Sequence, residues 1–125
     1  MLTFTVPGKP IPKGRPRVGA HGTITPQRTK AYEADVGYAA LAAMPPDSRT
    51  VPLYPEGDLC VQITFYTNGR GDVDNLGKSI LDGLNRIAWN DDFQVVDLRI
   101  QRFKSHKTTE RAEVVVATIA EYMKT

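Results

Sequence analysis

In the middle of this chain, a segment with the period of a β-strand runs directly into one with the period of an α-helix. Between residues 59 and 66, large apolar side chains occupy every second position, which is the pattern of a half-buried strand. Residues 68–71 have the composition of a turn. From Asp72 or Val73 to Ala88, apolar residues return at the spacing of one helix face. The fold must therefore pack a helix against a sheet.

The flanking segments complete this pattern. Alternation predicts further strands at Leu2–Val6, Val95–Phe103 and Ala112–Ile119, the last two antiparallel across a polar turn. Thr29 is predicted to cap a helix that continues to about Met44. The element order is roughly β-α-β-α-β-β, an α+β fold with helices packed on one mixed sheet. A length of 125 residues suits a single domain, so we expect residues 1–125 to share one core.

The composition indicates the cellular compartment in which the protein is expected. Cys60 is the only cysteine, which excludes an intrachain disulfide and is typical of a reducing environment. The N-terminus has no signal-peptide pattern, and no apolar run approaches the length of a membrane span. We therefore expect a cytoplasmic protein that makes no contact with membranes.

Acidic residues cluster at both ends of the predicted central helix. Asp72 and Asp74 stand where strand gives way to helix, and Asp91 and Asp92 follow the helix end. If strand and helix fold back on each other, the first pair and one or both of the second can converge. Like charges at one point repel, and Mg²⁺ is the usual compensation. The alternative is that such residues only cap the helix and complement its dipole.

Lys78 follows Asp74 by one helical turn and lies on the same face. Beside a metal site, this lysine would stabilise negative charge during phosphoryl transfer. Its alternative role is an ion pair with Asp74 or Asp82, four residues away in either direction.

Basic residues are concentrated near the N-terminus. Residues 1–32 contain six of the sixteen lysines and arginines and none of the fourteen acids. This arm, at about residues 7–30, is rich in proline, which holds it extended and keeps the charges apart. We expect it to bind DNA phosphates, together with Arg70. The candidate contacts are Lys9, Lys13, Arg15, Arg17, Arg28, Lys30 and Arg70. The alternative is a solvated loop.

Two motifs resemble the RusA family of Holliday-junction resolvases. They are Asp72-Val73-Asp74-Asn75-Leu76-x-Lys78 and Trp89-x-Asp91-Asp92-x-Gln94-Val95-Val96-Asp97. The arm at residues 7–17 is similar to a branch of that family found in phage and prophage genomes. The resemblance implies a RusA-like fold and a homodimeric, Mg²⁺-dependent endodeoxyribonuclease, with Mn²⁺ as a possible substitute ion. It also implies that Asp72, Asp74 and Asp92 are the catalytic carboxylates that hold the metal, and that Lys78 is the essential lysine.

The interpretation is therefore a structure-selective enzyme that resolves four-way DNA junctions by paired symmetric nicks, in recombination and repair. Asp91 is expected to support the three metal ligands. Two alternatives remain: a nuclease acting on flaps or other branched DNA, and a non-catalytic nucleic-acid-binding protein. The second accounts less well for acids clustered beside a basic surface.

Overall fold

The computed structural model describes residues 1–14, 26–46 and 50–124, together with the backbone of residues 17–19 and 22–24. It contains six strands and three α-helices within those ranges. The strands are β1 (Leu2–Pro7), β2 (Arg17–Gly19), β3 (Gly22–Ile24), β4 (Leu59–Thr67), β5 (Val95–Lys104) and β6 (Arg111–Thr118). The helices are α1 (Gln27–Ala43), α2 (Val73–Leu84) and α3 (Ile119–Met123).

A four-stranded mixed sheet in the order β1-β6-β4-β5 organises the fold. The central strand β4 pairs antiparallel with β6 and parallel with β5, where Thr67 lies opposite Lys104. A parallel neighbour requires a crossover, and α2 supplies it by carrying the chain from the end of β4 back to the start of β5. The two ends of α2 therefore lie at opposite ends of the sheet.

Helices α1 and α2 cover one face of the sheet and enclose the core. Close packing between them depends on Gly83, where a Cβ atom would come within 2.8 Å of the backbone oxygen of Glu33. Gly77 has the same role against the sheet, because a Cβ atom there would collide with Ile100 of β5. The buried apolar residues include every second position of β4, as the alternation predicted: Leu59, Val61, Ile63 and Phe65.

The predicted α+β class and mixed sheet are confirmed, with several local differences. The arm predicted to be extended at about residues 7–30 contains the short hairpin of β2 and β3. A short third helix follows β6. Strands β5 and β6 run in opposite directions as predicted, but β4 lies between them. Helix α2 ends at Leu84, four residues before the predicted end, because Trp89 turns into the core and Arg86 reverses the chain with a φ of 69°.

Thr29 was predicted to cap α1, but the helix begins at Gln27. The Thr29 side chain is buried and bonds to the arm instead: it accepts from the backbone nitrogen of Gly14 at 3.0 Å. The arm is also tied to α2, since Ser79 donates to the Ile11 carbonyl at 2.6 Å. Residues 11–14 are therefore held against both helices, near the start of α2.

None of the described helices is both long enough and apolar enough to cross a membrane.

Candidate active site and nucleic-acid interface

The turn between β4 and α2 is fixed by a buried carboxylate from another strand. Glu110, just before β6, accepts from the Thr67 hydroxyl at 2.7 Å and from the Asn68 backbone nitrogen at 3.2 Å. The Thr67 hydroxyl also accepts from the Gly69 nitrogen at 3.0 Å. The hydrogen bond from Thr67 lowers the pKa of Glu110, with smaller contributions from Asn68 and nearby lysines. This network sets the path of the chain that leads to Asp72.

Asp72 and Asp74 are both exposed at the N-terminus of α2. Asp72 occupies the N-cap position, yet its side chain makes no capping hydrogen bond. Asp74 lies in the first turn, where a negative charge is favoured by the helix dipole. No hydrogen bond or ion pair to a described residue engages either carboxylate. Capping, the alternative reading of Asp72, is therefore not what this side chain does, and its oxygens remain available to a ligand.

The second acidic pair is more constrained. Asp91 caps a 3-10 turn at Asp92–Gln94 and accepts from the Phe93 nitrogen at 2.9 Å. Asp92 accepts a hydrogen bond of 2.8 Å from the indole nitrogen of Trp89, which is buried. That bond uses one oxygen of Asp92 and orients the other. Each of the two residues therefore has one carboxylate oxygen engaged and the other without a hydrogen bond to a described residue.

The two acidic pairs do not meet within one chain. Asp72 and Asp74 lie at the first turn of α2, whereas Asp92 follows its last turn, beside the start of β5. Twelve helical residues span about 18 Å. Among the described residues, no group of three metal-binding side chains is close enough to hold an ion. The expectation that strand and helix would fold these pairs together was wrong, because a parallel crossover separates the two ends of its helix.

Two lysines on this side of the molecule form ion pairs. Lys13 contacts Glu33 at 2.7 Å and Asp82 at 2.8 Å. Burial lowers the pKa of Lys13, but its hydrogen bonds to Asp82 and Glu33 outweigh that effect and raise it overall. Lys78 is exposed and lies 3.6 Å from Asp82, a distance at which the pair contributes little. The Lys78 ammonium can therefore turn toward a substrate, whereas Lys13 joins the arm to α1 and α2.

A row of clefts surrounds Arg70 at the ends of β4 and β5. One cleft of about 230 Å³ is lined by Lys9, Arg28 and Arg70, with Gly71 beside Asp72. A neighbouring cleft of about 300 Å³ adds two basic residues of β5, Arg102 and Lys104. A third cleft shares Lys104 with the second and is also lined by Lys107. We call this surface the basic edge; it consists of Lys9, Arg28, Arg70, Arg102, Lys104 and Lys107.

The structure thus brings together only part of the predicted DNA-binding set. Lys9, Arg28 and Arg70 meet in one cleft, while Lys30 is exposed on α1 and lines none of the three clefts. The Arg15 prediction falls outside the described residues, and only the backbone of Arg17 is described.

Lys104 and Lys107 were missed by sequence reasoning. The signal was present, because residues 99–107 contain four lysines and arginines and no acid. The sequence did not predict that this basic segment lies near Arg70, because that position depends on the parallel pairing of β4 with β5.

The chemistry of the donors fits magnesium. This ion prefers hard oxygen ligands and is commonly bound through one or two carboxylates plus waters and substrate phosphates. Asp72 and Asp74 provide two exposed carboxylates one residue apart, beside a surface suited to phosphates. The arrangement is able to hold a cation and a phosphodiester side by side.

Comparison with known proteins agrees with this chemistry. The chain is similar to the uncharacterized protein YqaN of Bacillus subtilis (strain 168), with 29% identity over 140 aligned positions. That alignment covers 95% of this chain and 97% of the relative. The profile of the family described as endodeoxyribonuclease RusA matches residues 7–117, which include both acidic pairs and all six residues of the basic edge. The match confirms the resemblance found in the sequence, and the chain belongs to the RusA endodeoxyribonuclease family.

Proposed function

We propose that this protein is a Mg²⁺-dependent endodeoxyribonuclease that resolves four-way DNA junctions by paired nicks. The observation that carries the proposal is the start of α2, where two exposed carboxylates free of capping bonds adjoin the basic edge. A protein that only binds DNA gains nothing from negative charge at that point, since it repels phosphates. A metal-dependent nuclease requires this negative charge to bind its cation.

The metal ligands are Asp72, Asp74 and Asp92, with Asp92 contributed by a second copy of the chain. Two facts support this division. Within one chain, a helix about 18 Å long separates Asp92 from the other two. A four-way junction also has two equivalent strands to cut, which calls for two sites related by two-fold symmetry. A homodimer that shares its sites satisfies both requirements.

Each remaining residue of the site has a defined task. Magnesium bound there supplies polarisation of the phosphodiester and a more acidic water. Lys78, one turn beyond Asp74, stabilises the negative charge that develops on the phosphate oxygens. Asp91 supports the site indirectly, because it caps the turn that holds Asp92. The Trp89 indole fixes the orientation of the Asp92 carboxylate.

The basic edge holds DNA by its phosphates. Such contacts fix the position of the duplex without reading its sequence, which suits an enzyme that recognises branch shape. The ion pairs of Lys13 favour a structural role for this residue over a phosphate contact. We propose that the protein acts in DNA recombination and repair in the cytoplasm, where its DNA substrate and a reduced Cys60 would both be found.

Labelled DNA substrates test the function directly. With Mg²⁺ or Mn²⁺, the wild-type protein should introduce two symmetric nicks into a four-way junction and leave linear duplex uncut; a chelator should stop cleavage. Preferred cutting of flaps would identify a different branched-DNA nuclease. Junction binding without cleavage by either ion would indicate a non-catalytic binding protein.

Carboxylate variants are the controls for that assay. Asp72→Asn, Asp74→Asn and Asp92→Asn should each lower the cleavage rate roughly 10²-fold or more, because bound metal contributes several kcal/mol to the reaction. Junction binding without metal should be retained or tightened. Asp35→Asn, at an exposed acid on α1, should cleave at the wild-type rate. Full activity in any of the first three variants would remove that residue from the ligand set.

Lys78→Ala separates the two roles of this lysine. If Lys78 stabilises charge during phosphoryl transfer, the single-turnover rate should fall roughly 10²-fold. The free energy of unfolding should change by only a few tenths of a kcal/mol, since an exposed pair with Asp82 contributes about 0.2–0.5 kcal/mol. Unaltered cleavage by the folded variant would leave Lys78 with the ion pair alone.

Salt dependence of junction binding distinguishes the basic edge from the ion-paired Lys13. Arg70→Ala should weaken binding and reduce the slope of log affinity against log salt by about 0.9, the value for one lost phosphate contact on duplex DNA. Lys13→Ala removes the same charge, yet the slope should stay at the wild-type value because Glu33 and Asp82 engage this ammonium. Equal slope changes in the two variants would contradict the assignment.

A further inference from the structure

Strand β5 is an open edge of the sheet. It has ten residues, and among the described strands it pairs only with β4. A long strand in this position presents unpaired backbone N–H and C=O groups that can pair with another chain. The opposite edge, β1, is shorter and ends at Pro7, which has no N–H to donate. Of the two edges, β5 is the one suited to pairing.

Apolar side chains are unusually exposed along β5. Four large apolar residues that lie on or beside it are 41–89% exposed: Phe93, Val96, Leu98 and Phe103. Leu98 is two residues from Ile100 and so shares its face of the sheet, but only Ile100 packs against the core. The exposed positions of β1, in contrast, include the small polar residues Thr3 and Thr5. A row of exposed apolar side chains on one edge marks an interaction surface.

Charge along the same strand is polarised. Residues 87–98, which include Asp91, Asp92 and Asp97, carry three acids and no lysine or arginine. Residues 99–107 carry four lysines and arginines and no acid. Two copies of β5 laid side by side in the same direction would set acid against acid. Two copies in opposite directions would instead place the acidic half of each strand against the basic half of the other. This charge complementarity favours a second copy of the chain as the partner and an antiparallel orientation.

We infer that the β5 edges of two copies of this chain pair in antiparallel orientation across a two-fold axis near Arg99 and Ile100. The inference deepens the proposed function and rests on it in one respect, the need for two copies. It adds the surface through which the two copies associate and the orientation of their β5 strands. Antiparallel pairing places the start of β5 in one copy beside the end of β5 in the other. Asp92 of the partner subunit then lies at the end of the molecule that carries Asp72 and Asp74.

Cysteine cross-linking tests the surface. Single cysteines at Val96, Leu98, Arg99 and Gln101 should include at least one that forms a disulfide-linked dimer under mild oxidation, because a disulfide requires Cα atoms about 4.4–6.8 Å apart. Thr5→Cys, on the opposite edge, is the matched control and should remain monomeric on a non-reducing gel. The native Cys60 is buried, which raises the pKa of its thiol and keeps it from competing. Cross-linking of the β5 variants no faster than the control would overturn the inference.

Leu98→Lys provides an independent measurement by sedimentation. Two lysines brought close to the axis should repel each other and raise the dissociation constant of the dimer at least about tenfold. Thr5→Lys should leave it unchanged, and thermal melting should show that both variants are folded. A wild-type protein that stays monomeric with and without junction DNA, or a Leu98→Lys dimer of wild-type affinity, would refute the interface. If Leu98→Lys fails to fold, the cysteine series decides.

These outcomes are separable from those of the proposed function. A protein that cross-links through β5 but cuts no DNA would contradict the nuclease and leave the interface standing. A protein that cuts junctions as a monomer would contradict the interface and leave the metal-dependent nuclease standing.

Discussion

The parallel pairing of β4 with β5 determines where the two acidic pairs and the basic residues of β5 lie. Because the two strands run in the same direction, α2 must return the chain along the full length of the sheet. That return places Asp72 and Asp74 at one end and Asp92 at the other. It also sets Lys104 opposite Thr67, so the basic residues of β5 adjoin the turn that leads into α2.

This arrangement separates the carboxylates within one chain and is consistent with the proposed site shared between two copies. Two carboxylates at a helix N-terminus are tolerated because the dipole compensates them. A third beside them would add repulsion unless a cation were bound. With the third carboxylate on a second copy, that repulsion arises only when the dimer, and with it the full set of metal ligands, is assembled. Binding of metal and association of subunits would then favour each other.

Much of this fold was predictable from sequence, because period and composition report on local structure. The alternation in β4 and the apolar face of α2 correctly predicted a strand, a turn and a helix in this order. The two acidic pairs lie near the two ends of that helix, as predicted. Long-range geometry was not predictable. Nothing in the spacing of Asp74 and Asp92 reveals that β5 is parallel to β4, and nothing in the arm reveals that Lys13 pairs with Glu33 and Asp82. The predicted α2 was too long because Trp89 is buried in the core, which ends the helix although the apolar spacing continues.

Mixing two inactive variants tests the central claim, that each site draws ligands from two chains. Asp74→Asn and Asp92→Asn are allowed to exchange subunits, and nicking of a four-way junction is measured. A mixed dimer holds one site in which all three carboxylates are intact, so the mixture should recover about a quarter of wild-type sites if pairing is random. Recovery of single-strand nicking would support the account. A mixture as inactive as its components, with mixed dimers shown to be present, would contradict it and place all the ligands in one chain.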